Sequence, residues 1–110
     1  MACLATNEAM ASRTTNDLIN KKRSRIDRID QQLILLLNRR ASVVDELKKL
    51  KIQMDLPIHA PLREKQIIQR LIRLNKGPLT GSEIKKLFTV IIHFFRERQR
   101  ASKKGLQKRR

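Results

Sequence analysis

The chain has 110 residues, enough for one domain built on a single modest core. It has no Trp or Tyr and only three Phe and three Gly, while Leu, Ile, Lys, Arg and Gln dominate, so an all-α class follows. A net charge of +16 attracts anionic partners, and a single cysteine, Cys3, excludes an intrachain disulfide or a cysteine metal site.

Residues 1–15 are rich in Ala, Ser and Thr and carry no sustained apolar period, so they read as a disordered tail. They lack the apolar run of a secretory signal, no stretch approaches the ~20 apolar residues of a membrane span, and the expected location is cytoplasmic. Asn16 suits an N-cap with Asp17 in the first turn, and a helical pattern unbroken by Gly or Pro then runs to about residue 54. Leu18, Ile26, Ile29, Leu33, Leu36, Leu37, Val44, Leu47 and Leu50 recur at steps of three and four, which makes one apolar stripe on a charged helix.

Two prolines mark the break at residues 55–61. Pro61 suits the first position of a second helix reaching about Asn75, with Ile67, Ile68, Leu71 and Ile72 on its buried side. Lys76-Gly77-Pro78 ends that helix. Thr80 and Glu83 form a T-x-x-E capping box that opens a third helix to about Arg100, with core positions Ile84, Leu87, Phe88, Ile91 and Phe94. The expected organisation is a tail at 1–15, one helical domain at 16–100 and a basic tail at 101–110. From Arg96 onward there are eight basic residues and one acid, Glu97.

A first helix of about 39 residues is roughly 58 Å long at ~1.5 Å per residue. A compact domain of this size has a radius of gyration of only ~13 Å. The two shorter helices cannot cover most of that stripe, so a partner chain must, and the simplest partner is a second copy.

Arg40 and Lys51 lie about three turns apart on the first helix, return to one face within roughly 20° and stand ~16 Å apart. Their long side chains can converge on an anion. Taken alone, the pair reads first as two solvated charges on a very basic helix.

The order of motifs changes that weighting. Arg23-Ser-Arg-Ile-Asp-Arg-Ile-Asp30, Leu35-Leu-Leu-Asn-Arg-Arg40, Lys51, Pro57, Pro61-Leu-Arg63-Glu64, Asn75-Lys-Gly-Pro-Leu79 and Gln99 follow one another at family-like spacing. From Lys22 to Gln99 the chain resembles the all-helical chorismate mutase family. The resemblance implies an intertwined homodimer of three-helix protomers, each with one very long N-terminal helix. It implies the Claisen rearrangement of the dicarboxylate chorismate to prephenate. That reaction is concerted and needs no metal or other cofactor, so catalysis rests on holding the compact conformer and stabilising charge at the breaking ether bond.

The resemblance also implies roles for matching residues. Arg23 and Arg40 look like carboxylate clamps, for which a planar guanidinium fork is suited. Lys51 and Gln99 look like donors to the ether oxygen. Glu64 resembles the acceptor for the substrate's C4 hydroxyl, with Arg63 supporting the polar network. Arg23 precedes Arg40 by seventeen residues, roughly 25 Å along the helix and about 100° off its face, so it cannot serve its own chain's site. In an antiparallel dimer it can enter the partner's, the role that the resemblance implies.

Two positions depart from the family pattern. Ala60 stands where an Asp usually precedes the helix-opening proline, and Phe95 where a small Ser or Cys is common four residues before the Gln. Both lie near the expected C4 or carboxylate end of the substrate, which leaves two related activities open: action on 4-amino-4-deoxychorismate, or isochorismate-pyruvate lyase chemistry. His59 and His93 read as structural or surface residues, because no partner has ligand spacing. Phe88, Phe94 and Phe95 read as core and not as a base-stacking platform. A basic helical nucleic-acid binder would use the tail for nonspecific phosphate contacts, but would leave the ordered motifs unexplained.

Overall fold

In the computed structural model the backbone is described for residues 2–108 and the side chains for residues 13–100. The described residues form three helices and no strand: α1 (Ala2–Gln53), α2 (Pro61–Leu74) and α3 (Gly81–Lys108). They fall into two units, Met1–Arg40 and Ala41–Arg110.

Both outer boundaries differ from the sequence expectation. α1 begins at Ala2, so Asn16 lies inside the helix and caps nothing. Residues 2–15 contain neither Gly nor Pro and include four alanines, so nothing in them stops a helix from extending backwards. α3 continues to Lys108, past the expected end near Arg100, because Lys, Arg and Gln are good helix formers. The side chains of Cys3 and of the basic segment after Arg100 lie outside the described residues.

In the first unit every side chain from Arg13 to Arg39 is exposed. The stripe of Leu18, Ile26, Ile29, Leu33, Leu36 and Leu37 faces water, and so do Ile34 and Leu35. The run of residues 33–37 is wholly apolar, and at about 100° per residue five positions sweep the full circumference of a helix.

The second unit begins with the last turns of α1. These end in a Schellman motif, in which the Leu56 N–H donates to the Lys51 carbonyl at 2.8 Å and the Asp55 N–H to the Ile52 carbonyl at 3.2 Å. Asp55 holds the left-handed position at φ 55, a conformation that glycine normally fills. Pro57 follows directly and cannot continue the helix. Pro61 then opens α2 as its first residue, behind an Ala60 that makes no side-chain cap.

The capping box at α3 is fully made. The Glu83 N–H donates to Thr80 Oγ1 at 3.1 Å, and the Thr80 N–H donates to Glu83 Oε1 at 3.0 Å. α2 turns Ile67, Ile68, Leu71 and Ile72, all half-buried, toward α3. The buried residues of α3 are Ile84, Ile92 and Phe95, with Phe88 and Ile91 half-buried. Leu87 and Phe94, expected in the core, are exposed. α3 carries two apolar stripes, 84/88/92/95 and 87/90/94, and α2 packs against the first.

Candidate active site

Within the second unit, the last turns of α1, the connecting loop, the start of α2 and residues 96–100 of α3 carry a set of polar side chains bonded to one another or to the backbone. Lys48 of α1 is buried to 9% exposure, and its Nζ donates to the main-chain oxygen of Gln99 at 2.7 Å. One helical turn later Lys51, half-buried, donates from Nζ to the Ile58 carbonyl of the loop at 3.2 Å. A lysine that loses water needs such an acceptor, since a buried ammonium without one is costly.

Three arginines alternate along α3 at residues 96–100, and each meets a carboxylate. Arg98 grips Asp45 of α1 with two bonds, Nη1 to Oδ1 at 2.8 Å and Nη2 to Oδ2 at 3.3 Å. Arg96 grips Glu64 of α2 in the same forked way, Nε to Oε1 at 3.3 Å and Nη2 to Oε2. Arg100 reaches Glu97 on its own helix at 3.5 Å. His59 Nε2 adds a third contact to Glu64, 3.5 Å from Oε1. The two forked pairs tie α3 to α1 and to α2, with Gln99 close to both along the chain.

The residues singled out from sequence are thus distributed over both units. Lys51, Ala60, Arg63, Glu64, Phe95 and Gln99 belong to the second. Gln99 and Glu64 are half-buried, Ala60 is half-buried and uncapped, Arg63 is exposed, and Phe95 is 5% exposed with its ring edge-on to Phe94. The guanidinium on Glu64 comes from Arg96. Arg23 and Arg40 belong to the first unit. Arg23 is exposed, whereas Arg40 is half-buried with its Nη1 shut off from solvent. Burial lowers the Arg40 guanidinium below its ordinary value, although an arginine stays charged at neutral pH.

Sequence reasoning missed Asp45, Lys48, Arg96 and Arg98. The first two had a signal: with Lys51 they repeat every three residues on α1, a polar line beside an apolar stripe. Arg96 and Arg98 were hidden in the general excess of positive charge toward the C-terminus. Among the described residues, no group of three or more His, Cys, Asp or Glu is arranged to hold a metal ion, and no helix is long and apolar enough to cross a membrane.

Comparison with known proteins gives this arrangement a context. The family model described as chorismate mutase type II matches residues 22–100. The bifunctional chorismate mutase/prephenate dehydratase of Aquifex aeolicus is 35% identical over 79 residues, 72% of this chain and 21% of that protein. The chorismate mutase of Methanocaldococcus jannaschii is 34% identical over 71 residues, 64% of this chain and 72% of that protein. Among solved structures, chorismate mutase form I of Thermus thermophilus superposes with a TM-score of 0.69 at 31% identity, covering 70% of this chain and 96% of that one. The chain spans only about a fifth of the length of the bifunctional relatives it matches.

Proposed function

The chain belongs to the chorismate mutase type II family, and we propose on that footing that it converts chorismate to prephenate as a homodimer. The observation that supports this reading is that, within the unit holding Lys51, Glu64 and Gln99, bonds from Lys48 to the Gln99 main chain, Arg98 to Asp45 and Arg96 to Glu64 tie α1, α2 and α3 beside the positions where the family resemblance puts its polar site. The chain spans about a fifth of the bifunctional relatives' length, and dehydratase activity is not part of the proposal.

The chemistry asks for little beyond a rigid cationic pocket. The substrate carries two carboxylates, and forked guanidinium groups from Arg40 and from the partner's copy of Arg23 would hold them and select the compact conformer. As the ether bond lengthens, charge develops on its oxygen, where Lys51 and the Gln99 amide would donate hydrogen bonds that strengthen in the transition state. One preorganised donor of this kind contributes about 3 to 4 kcal/mol. Glu64 would accept from the C4 hydroxyl, with Ala60 and the buried Phe95 forming apolar wall nearby.

The dimer part of the reading is supported by the first unit. Its exposed stripe and its wholly apolar belt at residues 33–37 leave no polar face there, a pattern that suits a helix buried in an assembly. Covering each leucine gains about 1.5 to 3 kcal/mol, and a second copy presents the same belt. The direct test is to incubate the purified protein with chorismate, follow loss of the substrate's absorbance and identify the product, with Arg40→Ala as control. Unchanged chorismate, or equal turnover by the control, would overturn the assignment.

A further inference from the structure

Glu64 is held by more donors than an acceptor waiting for a substrate would need. Arg96 contacts both of its oxygens and His59 approaches one of them. The Glu64 and Arg96 side chains are 23% and 29% exposed, so the pair is partly withdrawn from water and its charges are felt nearby. An ionised carboxylate offers about four lone-pair sites, so one remains for a hydroxyl donor even with three contacts made. The pair's net charge is nonetheless zero. The other acids touching this stretch of α3 are matched as well, Asp45 by Arg98 and Glu97 by Arg100.

We propose that Arg96 is a specificity-determining residue, which makes the Glu64 end of the site accept a substrate bearing a neutral hydroxyl at C4 in preference to one bearing an ammonium. This rests on the reading of Glu64 as the group that faces C4. A lone carboxylate at that point would favour the ammonium, because a charge-assisted bond is roughly twice as strong as a neutral one. With Arg96 already on the carboxylate, an incoming ammonium meets a guanidinium of the same sign at close range and gains no uncompensated partner. A hydroxyl carries no charge to repel and still finds a lone pair. The absence of an acid at Ala60 acts in the same direction, since the position offers no second carboxylate to an amine. Arg96 therefore works through Glu64 and through its own charge, not by forming or breaking a bond.

The experiment compares kcat/KM for chorismate and for 4-amino-4-deoxychorismate in the wild type, Arg96→Leu and Arg96→Lys, each checked by circular dichroism and sedimentation. The expected result is a chorismate preference that falls at least tenfold in Arg96→Leu, mainly through KM, and is largely kept in Arg96→Lys, which retains the charge. A merely structural role would lower both substrates together and leave the ratio unchanged, and that outcome would overturn the proposal. Should Arg96→Leu not fold, the Arg96→Lys and Arg96→Gln ratios decide in the same way, with only the uncharged variant expected to lose preference. If the wild type turns over neither compound, the proposed activity fails. Calorimetric Kd values for the two compounds then read the inference separately: an equal Kd ratio in wild type and Arg96→Leu, or binding of neither compound, overturns it.

Discussion

Lys48 and Gln99 are 51 positions apart in the chain, yet the ammonium of one donates to the main-chain oxygen of the other at 2.7 Å. The bond anchors α3 beside α1 at the residue whose side chain is proposed to donate to the substrate's ether oxygen. It uses the backbone of Gln99 and leaves the amide group available.

Replacing Lys48 by Met keeps the length and most of the apolar stem but removes the ammonium that ties the Gln99 carbonyl of α3 to α1. The expected loss is about 1 to 3 kcal/mol of stability, the contribution of a partly buried hydrogen bond from a charged donor. Chemical denaturation measures it. Turnover should fall more than KM rises, because the ether-oxygen donor loses its anchor while the carboxylate clamps are untouched. A variant as stable and as active as the wild type would show that the bond holds nothing in place.

Asp55 offers the opposite test. Its left-handed backbone at φ 55 ends α1 in a geometry that costs an L-residue about 1 kcal/mol or more and a glycine almost nothing. Asp55→Gly should raise the midpoint of thermal unfolding, by an amount corresponding to about 0.5 to 1 kcal/mol, without changing kcat. A lowered midpoint would mean that the Asp55 side chain contributes more than its backbone strain costs.

The capping box predicts a pH dependence. The Thr80 N–H, followed by the Thr80 hydroxyl, holds the Glu83 carboxyl below its ordinary 4.5. A carboxyl whose folded value is depressed binds its proton more weakly in the folded state, so it stabilises the fold above the unfolded value and loses that contribution as pH falls through the folded one. Glu83→Gln should therefore narrow the gap in stability between neutral pH and pH below 4.5 relative to wild type. Urea midpoints on either side of 4.5 measure the difference, and an identical gap in both proteins would remove the box from the acid response.

The helices that were legible in the sequence are those whose ends carry chemistry. Pro61 at a first turn, Thr80 with Glu83, and the Asp55 to Pro57 stop each state a boundary through a local bond or a missing one. Asn16 misled because a good N-cap residue stops a helix only where the preceding residues resist it, and those before it do not. Only the family resemblance puts Phe95 near the site; periodicity reads both Phe94 and Phe95 as core, because α3 has two apolar stripes of similar strength. The choice between them is made by α2, a tertiary partner that periodicity along one helix does not reveal. The resemblance names Glu64 as a site residue, but its hold by Arg96 is not legible in the sequence, since the two lie 32 positions apart in a chain with many arginines.

The sharpest test of the dimeric site uses two broken proteins. If Arg23 serves the partner's site, a homodimer of Arg23→Ala lacks a clamp in both sites, and so does a homodimer of Arg40→Ala. Mixed under conditions that exchange subunits, the two variants form heterodimers in which both lesions fall in one site and the other site is intact. Half of an equimolar, randomly exchanged population should be heterodimer with one working site in two, so activity should recover to about a quarter of wild type from a background about 100-fold or more lower, as expected for losing a charge-assisted clamp of roughly 3 kcal/mol. Mass spectrometry under native conditions establishes that heterodimers are present. Heterodimers that remain inactive would place Arg23 in its own chain's site or in none, and a wild-type protein that sediments as a stable folded monomer at micromolar concentration would remove the shared site altogether.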